Sequence, residues 1–152
     1  MHDRKTELGD VIPVPAEVRP DPAADFTIQS GTGVRAAAGA VAIGNQLAGW
    51  LRNATGYPIP VSETAGSIVL ELTGDGPDEA YELDVDPTGV AIRAAAPAGL
   101  FAAAQTLVQL IPARGQGDVT IPGGDITDYP RFGYRGVMLD VARHFFTPDE
   151  VK

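Results

Sequence analysis

Hydrophobic and polar positions change period several times along the chain, and each change marks an element. Between residues 37 and 55, Val41, Leu47, Trp50, Leu51 and Ala54 recur at helical spacing, and Thr55-Gly56 supplies a stop. Residues 67–72, 80–86 and 90–94 are strand-like runs, part alternating, separated by Thr73-Gly74-Asp75-Gly76-Pro77 and by Asp86-Pro87-Thr88-Gly89. They predict a three-stranded meander. A second helix follows from Pro97 to about Ile111, with Leu100, Ala103, Leu107 and Leu110 or Ile111 as its core stripe. Its proline stands at the start, where a missing N–H costs nothing. Short strands at Phe26-Thr27-Ile28 and Val34-Arg35 flank the Gly31-Thr32-Gly33 turn, and residues 1–10 read as a loose tail. This order predicts an α+β fold, a two-layer sandwich of a mainly antiparallel sheet with two helices.

The pattern changes again after the second helix. Residues 112–133 are broken by Pro112, Gly115, Gly117, Pro122, Gly123, Gly124 and Pro130, so they read as a connection containing one short strand at 119–121. Residues 134–141 then form a nearly continuous apolar run, as expected of a strand buried on both faces. Thr147-Pro148-Asp149-Glu150 has the form of a capping box, with Phe146 and Val151 at the positions of a hydrophobic staple. A helix that starts there and stops at Lys152 falls short of the roughly 12–15 residues that are marginal in water. The expected organisation is a tail (1–10), an α/β domain (11–128) and an incomplete second domain (129–152) that opens as the first half of a βα unit.

Composition narrows the function. The chain has 152 residues, no cysteine and a formal charge of −9, with a mean hydropathy of +0.01. An acidic balance argues against nucleic acid as a partner, since phosphate neutralisation needs clustered Lys and Arg. No apolar run reaches the roughly 20 residues that span a bilayer, so no membrane partner is expected. The polar start shows no signal peptide; the protein is cytoplasmic if Met1 is native and secreted if a signal has been removed. Thiol chemistry and zinc–thiolate sites are excluded.

Candidate chemistry is sparse. The acidic pairs Asp78-Glu79 and Asp149-Glu150 read as turn and helix-cap residues, so no catalytic residue is assigned. His2 and His144 have no suitably spaced second ligand, so neither a metal site nor a cofactor is expected. Around the run at 134–141, Arg135 stands at the start, and Asp140, Arg143 and His144 at the end. In a parallel barrel, functional groups gather at the carboxyl ends of strands. Arg143 should therefore point into any pocket the barrel would form, and it reads either as a substrate-binding residue or as a surface or structural ion pair, for example with Asp140. Arg135 is expected at the base, near the first domain.

The stretch D-Y-P-R-F-G-Y-R-G-V-M-L-D-V-A-R-H-F-F, residues 128–146, closely resembles the segment that opens the catalytic barrel of glycoside hydrolase family 20, the β-N-acetylhexosaminidases. Ile12-Pro13-Val14-Pro15, Tyr81-Glu82-Leu83-Asp84-Val85 and Ala98-Gly99-Leu100-Phe101 are similar to that family's N-terminal domain. The resemblance implies a non-catalytic α/β domain (11–128) followed by the first strand of a truncated (β/α)8 barrel (129–152). The parent enzyme would remove terminal N-acetylhexosamine from a glycan, with retention and by substrate assistance. The sugar's own acetamido oxygen would attack the anomeric carbon, a Glu would act as general acid, and the preceding Asp would orient the acetamido group. That Asp–Glu pair would lie beyond residue 152. Arg143 occupies the position of an arginine that binds sugar hydroxyls in the family.

One donor is worth only about 1 kcal/mol net against water, so the chain alone is expected neither to hydrolyse nor measurably to bind sugar. A stand-alone carbohydrate-binding or protein-interaction module is the alternative; sugar-binding modules usually present exposed aromatics, and this chain is 7% aromatic. The expected partners are the missing barrel and, through the exposed strand at 134–141, a second copy of the chain.

Overall fold

The computed structural model describes residues 6–112, 117–140 and 145–151. The elements are β1 (Glu17–Pro20), β2 (Phe26–Ile28), β3 (Val34–Ala36), α1 (Val41–Thr55), β4 (Val61–Ser62) and β5 (Ile68–Leu72), followed by β6 (Tyr81–Asp86), β7 (Gly89–Ala94), α2 (Pro97–Gln109), β8 (Val119–Ile121), β9 (Gly124–Asp128) and α3 (Pro148–Val151). Seven strands form one sheet in the order β1-β9-β6-β7-β5-β3-β4, and β2 pairs with β8 in a separate ribbon.

The sheet is mixed, which corrects the expectation of a mainly antiparallel one. Pairings β1–β9, β9–β6 and β6–β7 are antiparallel, whereas β7–β5, β5–β3 and β3–β4 are parallel. Parallel neighbours need a crossover, and α1 supplies it between β3 and β4. The expected meander is also corrected. β6 and β7 do form a hairpin, but β5 lies parallel to β7 and does not touch β6 in the ladder. Likewise β2 and β3 do not form a hairpin around Gly31, because β2 pairs with β8.

Alternation decides which side of the sheet is wet. Along β6, Tyr81, Leu83 and Val85 are buried, while Glu82, Asp84 and Asp86 face outward. Val90, Ile92 and Ala94 of β7 and Ile126 of β9 continue the buried face. Both helices cover it. Helix α2 contributes Leu100, Ala103, Ala104 and Leu107, close to the predicted stripe. In α1 the buried stripe is Gly44, Leu47, Ala48, Leu51 and Thr55, with Trp50 only partly covered. The face is turned relative to the prediction because Gly44 lets the helix approach β3. A Cβ there would lie 2.7 Å from Ala36 Cβ. Each fully buried leucine contributes roughly 1.5–3 kcal/mol by leaving water.

The chain joins this core earlier and leaves it later than its pattern suggests. Leu8 and Val11 are buried, within and just after the stretch read as a tail. Residues 124–128, read as part of a connection, form β9 in the middle of the antiparallel half. Beyond β9, residues 134–140 pair with no strand among the described residues and are exposed; Val137 and Met138 are 100% and 93% accessible. At α3, Glu150 accepts from the Thr147 N–H at 2.8 Å and from its hydroxyl at 2.9 Å. Half of the capping box is thus formed, with the hydroxyl donating to Glu150 rather than accepting from the helix.

Candidate functional site

The chemically richest region is the junction where β6, β9 and α2 meet the segment that leaves the sheet. Tyr81 points inward from β6, and its hydroxyl lies 2.6 Å from Thr106 Oγ1 on α2. It also donates to Asp128 Oδ2 at 3.4 Å, while Asp128 Oδ1 accepts from the Ala16 N–H at 3.0 Å. Burial pushes the Tyr81 phenol up to about 12; the hydrogen bond from Thr106 opposes the shift and the Asp128 charge adds to it. This tyrosine is a structural hydroxyl that stays protonated at every physiological pH.

Two arginines fasten the outgoing segment here. Arg131 donates to the Val14 carbonyl at 3.0 Å. Arg135 donates to the Phe132 carbonyl at 2.7 Å and pairs with the Glu79 carboxylate. Arg135 therefore lies against the α/β body, as its place at the start of the run at 134–141 led us to expect. Glu79, read as a solvated turn acid, is its partner. Together these groups border a groove of about 370 Å³ whose floor includes Ala102 and Tyr129.

The outer face of the helical layer continues from this groove. Trp50 of α1 and Phe101 of α2 are in ring contact, centroids 6.3 Å apart and planes tilted by 59°. No charged residue occurs in α2, and α1 has only Arg52. The Arg52 guanidinium is turned to the backbone, donating to the Ile59 carbonyl at 3.0 and 2.5 Å. The open face of the sheet is the opposite. Arg35 and Arg93 reach Glu71 at 3.1 and 3.6 Å, Glu82 lies opposite Arg93, and Asp84 lies opposite Asp125. The Asp84 carboxyl is raised, first by partial burial and then by the Asp125 charge, with Arg93 opposing.

Of the candidates read from the sequence, Arg143 lies outside the described residues, as do His144 and His2. Asp140 is described and exposed. Asp149-Glu150 caps α3, and the Glu150 carboxyl is lowered by the Thr147 N–H and hydroxyl. Asp86 is lowered by the Thr88 hydroxyl and by the N–H groups of Thr88 and Gly89, so it is a turn residue. Among the described residues no group of three His, Cys, Asp or Glu could hold a metal ion, and no helix is long and apolar enough to cross a membrane. The Tyr81–Thr106–Asp128 network and the Val14 carbonyl went unread, because a backbone acceptor and a core tyrosine carry no sequence signal.

Comparison with known proteins places the fold in a family. Residues 9–129 match the family model described as glycosyl hydrolase family 20, domain 2. A beta-N-acetylhexosaminidase of Cellulomonas fimi is 43% identical over 118 residues, covering 74% of this chain and 24% of that protein. An N,N'-diacetylchitobiase of Vibrio harveyi is 38% identical over 94 residues, 62% of this chain and 10% of that protein. Among solved structures, the Streptomyces plicatus N-acetyl-beta-hexosaminidase in complex with Thio-NAglucal superposes with a TM-score of 0.88 at 45% identity, over 99% of this chain and 32% of that one. The GH20 beta-N-acetylhexosaminidase of Streptomyces coelicolor A3(2) also superposes with a TM-score of 0.88 at 45% identity, over 96% and 31%. The chain thus spans about a quarter to a third of the length of the Cellulomonas and Streptomyces relatives, and the matched stretch contains every strand from β1 to β9. The chain belongs to the glycosyl hydrolase family 20, domain 2 family.

Proposed function

We propose that the α/β body, residues 11–128, is the non-catalytic accessory domain of a β-N-acetylhexosaminidase-like glycosidase, and that residues 129–152 open its catalytic barrel. The almost uncharged outer face of α1 and α2 is where that barrel docks, and the exposed apolar residues from Tyr134 to Leu139 belong to its first strand, which the rest of the barrel covers. The barrel, with Arg143 as one of its sugar-contacting residues, removes terminal N-acetylhexosamine from glycans by the substrate-assisted retaining route. In this reading the accessory domain covers one side of the barrel and touches no substrate.

The observation that carries the reading is the likeness to the Streptomyces plicatus hexosaminidase over 99% of this chain, as 32% of a larger enzyme. The contrast between helix face and sheet face supports the docking side. A sugar-binding module is less well supported, since Trp50 and Phe101 are tilted by 59° and do not make the flat platform that a pyranose ring stacks on. Incubation of the chain with a chromogenic N-acetylglucosaminide should give no release above a blank. Turnover that follows the chain through purification would refute its non-catalytic role.

A further inference from the structure

The backbone that carries the acceptors of Arg131 and Arg135 is held in place by the α/β body itself. Val14 lies on a lead-in fastened at both ends. The Gln109 side chain accepts from the Ile12 N–H at 3.0 Å and donates to the Ile12 carbonyl at 3.1 Å. Two residues past Val14, the Ala16 N–H is held by Asp128 at 3.0 Å. Glu79 sits in a turn closed by Ala80 N–H to the Pro77 carbonyl at 3.1 Å and tied to α2 by Gly99 N–H to the Asp78 carbonyl at 2.9 Å. The Val14 carbonyl and the turn that carries Glu79 are fixed before the arginines arrive, so the entropic cost falls on the two guanidinium side chains and on the half-exposed Glu79 side chain.

From this we infer that Val14, Glu79, Arg131 and Arg135 form a two-point clasp that sets the direction in which the chain leaves β9. Arg131 and Arg135 are positioning residues for the barrel-opening segment they belong to. Arg135 serves both ends of the contact, since it holds the Phe132 carbonyl of its own segment at 2.7 Å while pairing with Glu79 on the body. A single half-exposed ion pair is worth little. Two anchors four residues apart are worth more than either, because engaging one raises the local concentration of the other. That this segment opens a barrel rests on the accessory-domain reading above; the clasp itself belongs to this chain.

Chymotryptic cleavage after Phe132 and Tyr134 of the folded chain tests the clasp, since both aromatics lie beside it. Each rate is divided by that of a synthetic peptide spanning residues 127–140 with the same local sequence. Glu79→Gln, which leaves the sequence around the cuts unchanged, and Arg135→Gln should each speed cleavage about threefold to tenfold. The exchange Glu79→Arg with Arg135→Glu should return the rate to within about twofold of the parent. Unchanged cleavage in both single variants would overturn the clasp, as would an exchange variant as fast as the singles. A rise in cleavage that merely tracks a fall in the urea midpoint would also overturn it. Sugar hydrolysis plays no part in this readout, so the clasp and the glycosidase reading fail separately.

Discussion

On its open side the seven-stranded sheet carries Glu71, Glu82, Asp84, Arg93 and Asp125; on the other, α1 and α2 show the outside an almost uncharged surface bearing Trp50 and Phe101. A helix that faces water usually carries charged residues on its outer face. The sheet shows that this chain can build such a surface, with Arg35 and Arg93 neutralising Glu71. Its absence from the helical layer is therefore informative. In the reading proposed above, one face is finished for solvent and the other for contact, and the clasp holds the exposed apolar segment after β9 against the α/β body.

The largest effect should come from the inner side of the helical layer, where α2 meets the sheet. Leu107→Ala removes a fully buried side chain from α2 and should cost about 2–5 kcal/mol in urea unfolding. The outer side is the control: Phe101→Gln should change the stability of this chain by no more than about 1 kcal/mol, because Phe101 is 39% exposed. Equal losses from both substitutions would erase the distinction between a packed and a docking surface.

Next in size is Tyr81→Phe, which deletes the hydroxyl shared with Thr106 and Asp128. A buried partner left unsatisfied should cost about 1–3 kcal/mol, again read from urea unfolding. A neutral result would mean that the network at the junction is not part of the body's stability.

The smallest effect belongs to the open face. Asp84 is raised in the folded state, so above its folded value the charged form opposes folding, and this opposition disappears below the unfolded carboxylate range. Asp84→Asn should therefore raise the urea midpoint slightly at pH 7, and the gain should shrink as pH falls through the carboxylate range. A variant that loses stability at pH 7 would show that Asp84 is held by a favourable partner instead.

Legibility in the sequence followed the strength of the local signal. Both helices and β5 to β8 could be read because periodicity, Pro97 and Gly56 agreed with one another; Gly56 does close α1 in the left-handed conformation at φ 76°. Strand β9 was hidden because only Ile126 of its five residues is a buried aliphatic, and Gly123-Gly124 looked like loop punctuation. In fact Gly124 adopts φ 123°, and a Cβ there would lie 2.1 Å from the Arg19 carbonyl of β1. The parallel half of the sheet was unreadable for a different reason, since strand order is set by long-range packing and not by any run of residues. At the junction, Arg135 was expected near the first domain, and its contact with Glu79 places it there. Its partner Glu79 was not, because an acid in a turn is ordinarily solvated.

The docking face is the central claim, and footprinting addresses it most directly. Oxidative labelling of Trp50, Phe101, Tyr134 and Met138, and carboxyl labelling of Glu82, Asp84 and Asp125, would be compared in two molecules. One is this chain; the other is the chain joined to the catalytic portion of the Streptomyces plicatus relative. A docking helical face predicts that the first group loses most of its labelling in the joined protein while the second is unchanged. Protection of the acidic sheet face, with Trp50 and Phe101 still labelled, would contradict it.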